Sequence, residues 1–264
     1  MHLLLPPSEG KTPPADGPAL DLESLSLPEL TATRSRVLAA LLRMARGPEG
    51  RARAVLGLSP RQLDELARDA GLDAEPCAPA GQVYSGVLYD ALDLRSLPSA
   101  ARRRAERMVL VSSGLFGMLR LTDRIPAYRL SGDTDLPGVG PLAAAWREPL
   151  EEALSTTLAR GLVVDLRSGA YAAHWTPRGA VAERAVTVRV LQEVRSGRTV
   201  TRKVVSHHNK ATKGRLVRAL ALSGVTPRDL PGLIDACSDL GFRAEPGKPG
   251  SGGVRSIDLV VDEV

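Results

Sequence analysis

The chain has 264 residues, 43% of them hydrophobic but only 3% aromatic, and carries a net charge of +5 at pH 7. That apolar content fills one large domain or two small ones, with cores resting on Leu, Val and Ala. No apolar run approaches the roughly 18–20 residues of a bilayer span, and no basic start with a cleavable apolar stretch opens the chain, so a soluble, cytoplasmic protein without a membrane partner is expected.

His2-Leu3-Leu4-Leu5 reads as a short buried strand that empties into Pro6-Pro7-Ser8-Glu9-Gly10-Lys11-Thr12. The spacing of a Walker motif is absent there, but a strand-end loop is a natural place for a site cation, which makes Lys11 a candidate. Residues 13–28 form an irregular connection. The spacing of Leu30, Val37, Leu38, Leu41 and Leu42 predicts a helix over 29–46, stopped by Gly47-Pro48-Glu49-Gly50. A short helix over 52–56 follows, then another from Ser59-Pro60 through Ala70, with Ser as N-cap and Pro in the first turn. Cys77, like Cys237, stands alone without metal-ligand spacing and reads as an idle thiol. Helical segments are expected at 88–92 and 98–107, the latter a solvated basic face with Arg102, Arg103, Arg104 and Arg107.

The apolar run Met108-Val109-Leu110-Val111 is a buried strand that opens into a Gly-rich segment from Ser113 to Leu130. Arg120, Asp123, Tyr128 and Arg129 gather there, at the kind of strand end where α/β proteins build sites. Leu136-Pro137-Gly138-Val139-Gly140-Pro141 leads into a further helix. This G-h-G turn fits the second half of a helix-hairpin-helix element, whose backbone amides bind a DNA phosphate; it fits equally a tight turn with Pro141 opening an ordinary helix.

Residues 162–166 read as a second buried strand that ends at Arg167-Ser168-Gly169-Ala170-Tyr171. Residues 185–194 and 200–206 predict a hairpin turning at Ser196-Gly197. A helix over 210–222 places Lys210, Lys213 and Arg218 on roughly one side; cations at its start oppose the helix dipole and suggest either an anion waiting there or a solvated basic face. The adjacent His207 and His208 do not have metal-ligand spacing, and no metal or cofactor is indicated. A helix over 227–240 and a strand over 256–262 complete a mixed α/β (α+β) pattern without a regular βαβ rhythm.

Several pieces, in order along the chain, resemble the YaaA family of bacterial peroxide stress resistance proteins. They are Pro7–Thr12, Tyr84-Ser85-Gly86, Ser113–Gly117 with Leu119, Arg120 and Asp123, Tyr128-Arg129-Leu130, Asp165-Leu166 with Ser168 and Tyr171, and Lys210 with Lys213, Gly214 and Arg218. The resemblance implies a single domain over residues 1–264, with a mixed sheet surrounded by helices. It also implies a basic cleft, a helix-hairpin-helix-like element and a role in limiting iron-driven damage under peroxide. Carried over residue by residue, Lys11, Arg120, Arg129, Lys210, Lys213 and Arg218 would line the cleft, with Gly138 and Gly140 at the hairpin. Asp165 stands where the family often has Asn, Ala170 where an acid is common, and Phe116 where a Tyr is usual.

Two functions follow from this reading. The first is binding of double-stranded or distorted DNA through phosphate contacts, with little sequence preference. The second is an enzyme acting on a nucleotide, nucleobase or other small anionic substrate, with Asp123, Tyr128, Asp165 and Tyr171 as an acid/base set beside Arg120 and Lys11. A phosphate-binding groove has little use for carboxylates and phenols, and that mismatch keeps the second reading open.

Overall fold

A computed structural model describes residues 1–196, 199–203, 206–250 and 254–262. Gly197 of the expected turn and the side chains of His207 and His208 lie outside them. Among the described residues the main sheet has eight strands. They are β1 (His2–Leu5), β2 (Val109–Ser113), β3 (Gly117–Arg120), β4 (Val163–Asp165), β5 (Ala185–Ser196), β6 (Thr199–Lys203), β7 (Arg243–Pro246) and β8 (Arg255–Asp262). Their order is β7-β8-β5-β4-β1-β2-β3, with β6 also paired to β5.

The five inner strands β8, β5, β4, β1 and β2 run parallel, and β3, β6 and β7 are antiparallel additions. The sheet is therefore mixed, as the irregular alternation of elements predicts. Strands buried on both faces are continuously apolar. Leu3, Leu4 and Leu5 of β1, Val109, Leu110 and Val111 of β2, and Val163 and Val164 of β4 are all buried. Each such side chain contributes roughly 1.5–3 kcal/mol of burial free energy.

The helices that position the site are α1 (Thr31–Ala45), α2 (Leu63–Ala70), α3 (Val87–Leu92), α4 (Ser99–Met108), α5 (Leu142–Thr157) and α6 (Ser206–Ser223). A Ser59–Gln62 capping box opens the turn that leads into α2. The expected stop at residues 47–50 is shorter than predicted, because a helix over Glu49–Leu56 begins at once and contains Gly50. Helix α6 packs on α3, α4 and β5. Gly214 makes that packing possible: a Cβ there would overlap the Leu88 carbonyl oxygen and lie 2.9 Å from the Ala91 Cβ.

The Gly-rich segment and the G-h-G turn after it each form short strands. Residues 117–120 add strand β3 to the sheet edge, and Gly117 (φ +72°) is needed because a Cβ would come within 2.7 Å of the Trp146 ring. Around Gly138 and Gly140, both at φ +88°, two-residue strands Asp135–Leu136 and Gly140–Pro141 pair antiparallel ahead of α5. Residues 126–131 before them are non-helical. The G-h-G turn is thus a β-hairpin leading into a helix, not the loop between two helices that the helix-hairpin-helix expectation requires; Pro126 and the Ser131-Gly132-Asp133 stretch break any helix upstream.

Candidate anion-binding site

The parallel strands β1 and β4 end side by side, and the loops that leave them wall a cavity of about 700 Å³. Ligands of open parallel sheets bind at this carboxyl end. One wall is the loop Pro6–Gly10, a second is Arg167–Gly169 with Tyr171, a third is the face of β5 carrying Thr187 and Arg189, and Tyr89 of α3 closes a side. Helix α6 contributes Asn209, Lys210 and Lys213.

Most of the charge in this region is already paired. Asp165 accepts from Arg167 Nε at 2.9 Å, from Arg167 Nη2 at 2.7 Å and from the Arg167 amide at 3.0 Å. The Arg167 guanidinium continues to the carbonyls of Tyr171 and Trp175. These contacts hold the buried Asp165 carboxyl below its ordinary pKa against the upward push of burial. Arg189 makes a two-pronged pair with Asp258, both bonds at 2.7 Å.

A second charged group sits beside the cavity. Lys11 Nζ donates to the Ser8 and Glu9 carbonyls at 2.8 and 3.3 Å and stands 4.2 Å from the centre of the Tyr128 ring. Arg129 lies 3.3 Å from Glu9 and 3.5 Å from Glu65, and its amide donates to Asp69 Oδ1 at 2.8 Å. Burial, partly offset by Glu9, lowers the Lys11 pKa to about 8; burial likewise raises the Asp69 pKa to about 7. Next to this group a hydroxyl chain runs from Tyr84 to Tyr128 at 2.9 Å and on to Ser113 at 2.7 Å, whose Oγ accepts the Phe116 amide. Burial pushes the Tyr84 and Tyr128 phenols well above their ordinary pKa, so both remain protonated.

Lys210 and Lys213 differ from the arginines above. Lys213 is 8% exposed and donates to the Leu166 carbonyl at 2.9 Å. Among the described residues neither lysine lies within ion-pair distance of a carboxylate. Burial lowers the Lys213 pKa to about 8, although Asp165 pulls it the other way. Beside them the buried Oδ1 of Asn209 has no hydrogen-bond partner among the described residues.

Of the residues expected to act together, Lys210, Lys213 and Tyr171 line the cavity, and Lys11, Arg129 and Tyr128 adjoin it through Ser8, Glu9 and the hydroxyl chain. Asp165 acts from behind the wall by fixing Arg167. The remaining candidates are elsewhere. Arg120 pairs in register with Leu110, toward the start of β2, and so lies at the opposite end of the strands. There it donates to the Arg107 carbonyl at 3.2 Å and, with Arg103 and Arg107, surrounds a shallow hollow. Asp123 is committed to a turn, accepting from the Ser26 amide and hydroxyl and from the Arg120 amide. Arg218 clamps the end of α3 through the Leu92 and Asp93 carbonyls and the Ser96 hydroxyl. Gly138 and Gly140 are in the β-hairpin.

Four site residues escape a sequence reading. Asp69, Tyr89 and Arg189 sit in ordinary helix and strand patterns, and their role arises only from which elements meet. Arg34 is fully buried, donating to the Ser26, Phe116 and Met118 carbonyls, and holds the Gly-rich segment from beneath. An arginine on the apolar side of a predicted helix is the one signal that could have exposed it.

The family model for "Peroxide stress protein YaaA" matches residues 1–246. A UPF0246 protein of Streptomyces coelicolor is 52% identical over 265 residues, covering 100% of both chains. UPF0246 proteins of Corynebacterium glutamicum and Corynebacterium efficiens are each 44% identical over 227 residues, covering 84% of this chain and 86% of theirs. The chain belongs to the peroxide stress protein YaaA family.

Proposed function

We propose that this YaaA-family chain binds a phosphate-bearing ligand of nucleotide size in the cavity at the carboxyl ends of β1 and β4. The observation that carries the reading is the pair Lys210 and Lys213, two cations facing a shared cavity without carboxylate partners among the described residues. The neighbouring cations support it by contrast, since Arg167, Arg189 and Arg129 each have a carboxylate. A volume of about 700 Å³ suits a nucleotide, falling within the roughly 300–1,000 Å³ of small-molecule sites. A duplex is far wider than such a cavity.

A second reading is favoured by the exposure of Lys210. On the rim of the cavity it is placed to meet a flanking phosphate, so the same nucleotide could arrive as an unstacked residue of distorted DNA. The two sources are separated by titrating the protein with a mononucleotide, an intact duplex and a bubble duplex at several salt concentrations. Mononucleotide binding that weakens in Lys213→Ala supports the free ligand. Bubble binding that is much tighter and salt-steep, and that weakens in Lys210→Ala, supports the DNA-borne one. Binding of all three unchanged by both substitutions would overturn the site.

A further inference from the structure

We propose that Lys213 is an amine nucleophile that captures an anionic aldehyde or ketone in the cavity as a reversible imine. The inference rests on the reading of the cavity as a small-anion site and gives that ligand a reactive group.

The geometry points to Lys213 rather than to any other lysine. Its side chain lines the cavity while remaining almost wholly shielded from water. A buried ammonium is tolerated when a carboxylate pairs with it, and the nearest one, Asp165, is already taken by three bonds from Arg167. Among the described residues its one hydrogen bond is to a neutral carbonyl, Leu166 O. Burial without a paired carboxylate brings the pKa down to about 8, so near neutral pH the ammonium still prevails and a minor neutral fraction is the nucleophile. Lys210 lies one helical turn earlier and lines the same cavity. It would hold the acid group of the ligand, and a second cation nearby is a recognised way to activate a lysine amine.

Lys11 provides the internal contrast. Its pKa is equally near 8, but it is only half-buried, its ammonium donates two hydrogen bonds and it faces the Tyr128 ring, with Glu9 close by. Those contacts stabilise the charged form and occupy the nitrogen.

In the reaction the neutral Nζ forms a C–N bond to the carbonyl carbon, and the carbonyl π pair moves to oxygen. Oxygen gains a proton as nitrogen loses one, giving a carbinolamine. Its hydroxyl then takes up a further proton and leaves as water while the nitrogen lone pair closes the C=N bond, and the nitrogen releases its second proton. One amine and one carbonyl become one imine and one water, with nothing oxidised or reduced.

Pyridoxal 5′-phosphate, an anionic aldehyde, serves as the probe, with cyanoborohydride reduction and peptide mapping of the five lysines at 11, 203, 210, 213 and 248. Lys213 is expected to carry on the order of tenfold more label than any other lysine, and inorganic phosphate to suppress that labelling. Equilibrium dialysis without hydride measures reversible binding separately, on wild type and on Lys213→Arg. Mapping of the wild-type protein is decisive even if the variant folds poorly. Label centred on Lys11, or spread evenly over the lysines, overturns the imine. Reversible binding without label at Lys213 also overturns the imine but leaves the anion site standing. Failure of both labelling and dialysis overturns the two together.

Discussion

At the amino end of the parallel strands, Arg103, Arg107 and Arg120 surround a shallow, open hollow, and Arg103 and Arg107 extend into solvent. At the carboxyl end, Lys11, Lys213 and Arg167 are drawn into the protein and tied to carbonyls and carboxylates. The two ends carry the same sign of charge under opposite solvation. Exposed cations cost little to place and specify little. Buried ones must be balanced individually, so the buried cation that lacks a carboxylate marks where a ligand's charge belongs.

The contrast breaks first at Arg167. Replacing it with Met strands the buried Asp165 carboxylate and should cost about 3–5 kcal/mol in urea unfolding. Because the folded Asp165 pKa is depressed, wild type holds this contribution above the unfolded value of roughly 3.9 and loses it as the pH falls. An equal loss from Arg120→Met would erase the distinction between the ends.

Gly214→Ala should come next, at about 1–3 kcal/mol, because the added methyl collides with the Leu88 backbone. The same variant should weaken anion binding, since α6 must shift and carries Lys213 with it. Unchanged melting and affinity would show that the α3–α6 contact is looser than described.

A smaller effect sharpens the comparison through pH. The folded pKa values of Lys11 and Lys213 lie near 8, below the ordinary 10.5, so both ammonium groups discharge early in the folded protein. Anion affinity should therefore fall as the pH rises through about 8. Between there and 10.5 the unfolded chain holds more protons, so conformational stability gains as pH rises. Affinity and urea midpoint, each measured at neutral and alkaline pH, should move in opposite directions. The smallest expected effect is that of Arg120→Ala: a stability change within about 0.5 kcal/mol and no change in affinity for a cavity ligand.

Continuous apolar runs made β1, β2 and β4 legible from sequence, and the 3.6-residue period did the same for α1. Strand β3 was hidden because Gly117-Met118-Leu119-Arg120 follows a glycine-rich turn and is too short to show alternation. The hairpin at Gly138 and Gly140 was open to two readings because paired glycines permit left-handed backbone in a β-turn as readily as between helices. Tyr171 could be picked out because it follows a strand end, and Lys213 because it is a cation near the start of a helix. Asp69 and Arg189 could not, because their partners Arg129 and Asp258 lie 60 and 69 residues away. Asp123 and Arg120, adjacent to the other candidates in sequence, were separated from them by the reversal of the chain at β3.

The Leu166 peptide groups link two features described separately above. The Leu166 amide donates to the Leu4 carbonyl at 2.9 Å, and the Leu166 carbonyl receives Lys213 at 2.9 Å. The lysine thus hangs from the residue that follows β4, which is itself tied to β1. Local fraying of the rim cannot release it, so in hydrogen-exchange experiments the Leu166 amide should open only with the whole sheet, and any occupant of the cavity should slow exchange along β1 and β4 together.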